Sequence, residues 1–321
     1  MRNVRKMLSA AMVMSLGVAA WAQDVQVKTS KNWEVKVDPQ VLAEVEAIAE
    51  RAVHSVVSDF EFDMDFDHNG KKIEYQQNTQ EIEIPLSKPG ERGKLDIDNR
   101  NGKVKVTGYD GPTVKVKMIK YEKKVERGES KNGMRLVSSG GFNVEASENN
   151  NTVRLESEGW NNRVDFEVMV PKNFNIKAET YNNGHIVIEG VNGEVNVESY
   201  NGSITLTNIS GSASASTYNG AIEVTFAKVT PETPMAFSTY NGNVDISVPT
   251  GTNFTAKMRT NRDIFTDFES FSIKQAQPVS NKNNKGGFSM KYESWVEGDL
   301  NGGGAEVMMK TTNGNIYIRK K

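Results

Sequence analysis

The chain has 321 residues, 39 of them basic and 41 acidic, and contains no cysteine. That length allows one large or two small domains, and the missing thiol excludes disulfide staples, a cysteine nucleophile and a cysteine-borne lipid anchor. A formal net charge of −2 gives no electrostatic footprint for general nucleic-acid binding.

The first 22 residues have the form of a secretory signal. Arg2, Arg5 and Lys6 precede a short apolar run from Leu8 to Ala20, and Ala20-Trp21-Ala22 offers a small-x-small cleavage site before Gln23. The run is too short to span a bilayer and no later run is long enough. The expectation is therefore an exported chain, cut after Ala22, in the periplasm, on the cell surface or outside the cell. Removing 1–22 takes away three basic residues and no acidic one, which leaves 36 basic against 41 acidic.

Residues 23–93 read as an N-terminal segment. Val25, Val27, Val35 and Val37 alternate as a short strand. Asp38 is placed to cap a helix with Pro39 at its first position, where a missing N–H costs nothing. Val41, Leu42, Val45, Ile48, Ala49, Ala52 and Val53 form its apolar stripe. Such a helix suits either a cap over an open sheet end or a partner-binding element. Phe60, Phe62, Met64 and Phe66 then alternate with acidic residues. Asp65, Asp67 and Asn69 match the start of a calcium loop, but the twelfth position is Gln76 rather than a bidentate glutamate. A hairpin with His68-Asn69-Gly70-Lys71 at its tip accounts for the same residues; a weak cation site is the alternative.

Pro89, Gly90 and Gly93 mark a boundary, and residues 94–321 read as a β-rich repeat domain. Leu95, Ile97, the turn Asn101-Gly102, Val104 and Val106 open it. The charged run Lys115 to Glu129 reads as an exposed strand and loop. Val170-Pro171-Lys172-Asn173-Phe174 leads into the regular part, and Val248-Pro249-Thr250-Gly251-Thr252-Asn253-Phe254 repeats the phrase. Residues 267–300 lose the pattern and read as the longest loop. The closing Arg319, Lys320 and Lys321 read as charge guarding a last sheet edge.

Glycines at 184, 193, 202, 211 and 220 are nine apart, and Asn183, Asn192, Asn201 and Asn219 precede four of them. Asn241-Gly242 and Asn313-Gly314 are later copies of the same turn signal. Apolar residues follow each glycine at two, four and seven places, as in Ile186, Ile188 and Val191. The step of two and then three breaks strict strand alternation inside every unit. The seventh place alternates between aliphatic and tyrosine, so the full repeat is eighteen. A meander of hairpins would use Asn-Gly turns at this spacing. A solenoid, with each coil stacked on the last, also accounts for the bend and for a column of Tyr181, Tyr200, Tyr218 and Tyr240. No aspartate column accompanies the glycines, which excludes a calcium-loaded roll.

Asn101-Gly102, the Val-Pro phrases, the Thr-x-Asn-Gly-x-Ile repeats and the closing Gly302-Gly303-Gly304 with Thr312-Asn313-Gly314-Asn315-Ile316 resemble a bacterial family. It is the family of β-strand-repeat proteins of unknown function classed as adhesins by analogy, and the match runs over about residues 94–319. The resemblance implies a right-handed parallel β-solenoid of about eighteen residues per coil, exported to the cell envelope. It implies no catalytic residue.

Signals for chemistry are sparse. His54, His68 and His185 lack metal-ligand spacing, and no nucleophile elbow or phosphate-binding loop occurs. The expectation is a non-catalytic adhesin or interaction scaffold with no cofactor, whose partner is an envelope protein or a glycan. Trp160, Tyr292 and Trp295 are candidate sugar or partner contacts through their flat faces. One rival is an envelope-stress accessory protein that binds a membrane regulator. Another is a polysaccharide-active enzyme using Asp263, Asp267 and Glu269 near Arg259 and Arg262.

Overall fold

The computed structural model describes residues 75–123, 130–131, 134–135, 143–159, 163–274, 279–283, 287–291 and 295–321. The expected signal peptide, helix and hairpin tip, with Asp65, Asp67 and Asn69, lie outside the described residues, as do Trp160 and Tyr292. The described residues are all-β and contain no helix.

In chain order the strands begin with β1 (Tyr75–Pro85), β2 (Gly93–Asn101), β3 (Val104–Tyr109), β4 (Thr113–Lys123), β5 (Ser130–Lys131), β6 (Met134–Arg135), β7 (Val144–Asn149) and β8 (Thr152–Ser157). The middle of the chain forms β9 (Arg163–Pro171), β10 (Phe174–Asn182), β11 (Ile186–Glu189), β12 (Asn192–Asn201), β13 (Ile204–Asn219), β14 (Ile222–Val229), β15 (Met235–Asn241) and β16 (Val244–Val248). The remainder are β17 (Phe254–Arg259), β18 (Ile264–Thr266), β19 (Phe271–Lys274), β20 (Val279–Asn283), β21 (Gly287–Lys291), β22 (Val296–Leu300), β23 (Glu306–Lys310) and β24 (Ile316–Lys320).

Twenty of these strands are hydrogen-bonded into one continuous sheet. Pairing is parallel through its middle, at the offset that the glycine spacing encodes. Val195 lies beside Ala213 and Ile204 beside Ile222, eighteen residues on in each case. The offset grows where Thr230-Pro231-Glu232-Thr233-Pro234 is inserted, so Ala215 pairs with Phe237. Strand β13 bends at Asn208, whose φ is 60°. Its first part pairs with β11 and β14 and its second with β12 and β15. The sheet therefore has two runs of stacked strands joined through β13.

Inward residues repeat from strand to strand within each run. Leu155, Ile97, Ala178, Val197, Ala215, Phe237, Met309 and Met258 are neighbours in register. None of them is more than 3% exposed. Burial of this kind stabilises by about 1.5–3 kcal/mol for each large aliphatic side chain. Because a strand alone cannot bury its apolar face, that stability depends on its neighbours in the stack.

The strands are not stacked in chain order. Strands β2 and β3 lie between β8/β9 and β10/β11. At the far end β23 and β24 lie between β15/β16 and β17/β18. The strand pairs β2/β3 and β23/β24 are each inserted one place inward. The two Val-Pro phrases stand where the chain passes an inserted pair: Val170-Pro171 at the end of β9, before β10, and Val248-Pro249 at the end of β16, before β17. Antiparallel strands finish both ends, with β7 on β8, β1 on β4 on β9, and β19 on β22 on β17.

Three sequence expectations are corrected here. The strand in the charged run from Lys115 is not exposed, because Val114, Val116, Met118 and Lys120 of β4 turn inward. Residues 267–300 are not one loop, since β19 and β22 pair there. The strand that carries the C-terminal basic residues is not a plain last edge, because β24 pairs with β16 through Lys320 and with β18 as far as Ile318. In each case the pattern was sound over a few residues, and long-range pairing decided the outcome.

Candidate functional site

The turn column is built by a four-residue unit, Ser/Thr-Tyr-Asn-Gly. Alternation along the strand sends the first residue in and the tyrosine out. Ser199 Oγ donates to Gly184 O at 2.9 Å, Thr217 to Gly202 O at 2.9 Å, and Thr239 to Gly220 O at 2.8 Å. Thr311 does the same to Gly242 O at 2.8 Å. These hydroxyls are no more than 7% exposed. The asparagines form a second ladder: Asn219 Nδ2 donates to Asn201 Oδ1 at 2.8 Å, Asn241 to Asn219 at 2.7 Å, and Asn313 to Asn241 at 2.7 Å. Asn183 instead donates to Asn101 Oδ1.

Glycine is required because successive turns touch. A Cβ on Gly202 would lie 2.4 Å from the carbonyl carbon of Gly184, and one on Gly220 would lie 2.3 Å from Gly202 O. Gly242 and Gly314 repeat the contact. Asn192 and Gly193 belong to a second column at the start of β12, where a Gly193 Cβ would meet Phe174 O at 2.2 Å.

Tyr181, Tyr200, Tyr218 and Tyr240 stand outward and stack on one another. Their ring centroids are 4.8, 5.2 and 4.9 Å apart and their planes lie within 5° of parallel. The interior rings have both faces covered by neighbours, so the ladder presents edges and hydroxyls to a ligand.

Two further outward rows run beside the tyrosines. The nearer comprises Asp98, Glu179, Glu198, Ser216, Ser238, Lys310 and Arg259. It changes from acidic through hydroxyl to basic along the stack. The farther comprises Asp96, Lys177, Asn196, Ser214, Ala236, Met308 and Lys257. Several of these charges are paired along their own strand. Lys177 Nζ lies 2.7 Å from Glu179, and that hydrogen bond pushes the lysine pKa up. Arg100 and Asp98 approach to 3.6 Å.

Of the aromatic candidates, Trp295 is half-buried beneath Lys257 Nζ at 5.5 Å and the Arg259 guanidinium at 5.9 Å. It joins the basic end of the face. His185 is half-buried and its Nδ1 accepts from Ser203 N at 3.2 Å. Asp267 accepts from the backbone N–H of Lys320 at 2.8 Å, and the Asp263 N–H donates to Asn315 Oδ1. Asp263, Asp267 and Glu269 are exposed. Among the described residues no group of three or more His, Asp or Glu is placed to hold a metal ion.

Sequence reasoning placed Asn196, Glu198, Ser214 and Ser216 outward but missed that Asp98, Lys310 and Arg259 join their rows, and it missed a polar cluster on β4 and β9. There Lys120 is 1% exposed, with its Nζ 2.7 Å from Glu122. Arg163 pairs with Asp165 at 3.1 Å, and Asp165 Oδ1 accepts from Lys103 N at 2.9 Å. Burial, with Asp165 nearby, pushes the Tyr121 hydroxyl up to about 12. The signal for the buried hydroxyls was present as a Ser or Thr three residues before Gly202, Gly220, Gly242 and Gly314.

No protein-family model matches the chain, and no curated protein does. Two solved structures align with it. One is a candidate cell adhesion protein from Clostridium sporogenes, at 11% identity and a TM-score of 0.39, covering 77% of this chain and 100% of that one. The other is a candidate adhesin from Bacteroides fragilis, at 10% identity and a TM-score of 0.33, covering 77% and 97%. At these values neither likeness identifies a family or an activity for this chain.

Proposed function

We propose that the protein is an exported, non-catalytic adhesin or interaction scaffold of the cell envelope. In this reading residues 1–22 are a signal peptide, 23–93 carry a helix and hairpin, and 94–321 form a right-handed parallel β-solenoid of about eighteen residues per coil. The parallel offset of eighteen between Val195 and Ala213 supports the solenoid.

One observation carries the functional reading: an outward face on which successive strands contribute residues in register, margined by four stacked and exposed tyrosines. Such a face displays repeated side chains over a long distance and encloses no small substrate. Covered ring faces leave little room for sugar stacking, which favours a protein partner over a glycan. The Asp267 carboxylate is engaged in holding the β24 backbone, so it serves the fold before any hydrolysis.

The test is protease accessibility on intact and lysed cells, read with an antibody to the mature chain. Digestion on intact cells is the expected result. Protection until lysis would sink surface display and direct attention to periplasmic partners.

A further inference from the structure

We infer that the tyrosine-margined face docks on the same face of a second copy of this chain, in an antiparallel two-fold arrangement centred on β13. This rests on the reading of that face as a recognition surface and names its partner.

The charge pattern carries the inference. Count strands outward from the second part of β13, where Ser212, Ser214 and Ser216 are half-buried. Two strands away on one side is Glu179, and two strands away on the other is Lys310, in the same row. Three strands away are Asp98 and Arg259, and in the neighbouring row Asp96 and Lys257. Four strands away, in that neighbouring row, are Arg154 and Glu297. A two-fold axis running along β13 reverses the order of strands and keeps each row on itself. It therefore sets every one of these charges against its opposite. Isologous interfaces require this kind of self-complementarity.

The same operation sets Glu198 against Ser238, Lys177 against Met308 and Asn196 against Ala236, so none of these charges meets its like. Serine and alanine at the centre let two sheets approach closely. The tyrosine ladders meet along one margin, Tyr218 on Tyr218 and Tyr200 on Tyr240, and supply the aromatic area that interfaces favour. Nine strands at about 4.8 Å and three rows of side chains make a face of about 43 by 20 Å, close to the ~800 Å² per partner of an ordinary specific interface. The strand-local pairs, such as Lys177 with Glu179 and Arg100 with Asp98, lie on exposed or half-exposed side chains. Solvent screens them strongly, so they exchange partners at little cost.

Two reversed chains test it by sedimentation equilibrium of the mature protein at low ionic strength. One carries Asp98→Lys and Glu179→Lys, the other Arg259→Glu and Lys310→Glu. The wild type is expected to dimerise, with a dissociation constant that rises about tenfold or more between low and high salt. Each reversed chain alone is expected to be monomeric, and an equimolar mixture is expected to restore the dimer. Circular dichroism confirms that both variants retain their β signal; if either does not, the single changes Glu179→Lys and Lys310→Glu replace the pairs in the mixing test. A monomeric wild type, reversed chains that still dimerise, or a mixture that fails to associate would overturn the arrangement. A monomeric wild type digested on intact cells would remove the self-docking while leaving surface display standing.

Discussion

Thr239 Oγ1 donates to the carbonyl oxygen of Gly220 at 2.8 Å, in the neighbouring turn of the column. The same bond links Thr217 to Gly202 and Thr311 to Gly242. A buried hydroxyl thereby satisfies a carbonyl where the chain turns a corner and strand pairing lapses.

Thr217→Val keeps the shape and deletes the donor. It is expected to cost about 1–2 kcal/mol, because the Gly202 carbonyl loses a buried partner. Thr217→Ser is expected to retain most of the stability. Denaturant midpoints of the two variants, compared at equal slope, check the difference.

The glycine column makes a sharper contrast. Gly220→Ala places a methyl 2.3 Å from Gly202 O, so the two turns must separate. A loss of roughly 1–3 kcal/mol is expected from such overpacking. Gly251→Ala meets nothing within 4 Å and is expected to leave thermal stability unchanged. Equal melting shifts for the two would contradict the contact between turns.

Inserted strands change how the ends behave. A last strand at an open edge frays, whereas β23 and β24 are paired on both sides. The amides of Val307, Met309, Ile316 and Ile318 are expected to exchange as slowly as those of Val195 and Val197. Truncation after Leu300 would strip β15 to β18 of neighbours, and a loss of cooperative unfolding is expected by calorimetry.

Acid should weaken the contacts of Asp299. The hydrogen bond from Lys274, followed by that from Thr255, holds the Asp299 carboxyl below its ordinary value of 3.8. A carboxylate whose pKa is depressed by folding stabilises the fold above the unfolded value, and the contribution is lost as pH falls through the folded value. The effect should be present at neutral pH and disappear below about pH 4. Carboxyl chemical shifts measured through this range check it, and Asp299→Asn should flatten the dependence.

Alkali acts on Tyr121 with the opposite dependence. Its hydroxyl is pushed up to about 12, first by burial and then by Asp165. The neutral ring is favoured in the fold, so this contribution is intact below the ordinary value of 10 and is lost as pH rises through the folded value. Phenolate absorbance should show a late step near pH 12, and Tyr121→Phe should remove it.

Much of this was legible in the amino-acid order. The nine-residue glycine spacing, the Asn-Gly corners and the alternating Val191, Tyr200, Ile209 and Tyr218 determined which residues face inward, which turn and which column the tyrosines share. Those are local matters, set by strand period and by the space at a corner. The order of the strands was not local. Parallel edges present the same backbone groups, so β2 is equally matched to β8, β10 or β12 by pattern alone. In the fold β2/β3 and β23/β24 are inserted, and the Val-Pro phrases stand where the chain passes them. Only then did Asp98 come to lie in one row with Arg259, and Glu179 with Lys310, across more than a hundred residues of sequence. The repeat determined the surface; the tertiary stacking decided its charge.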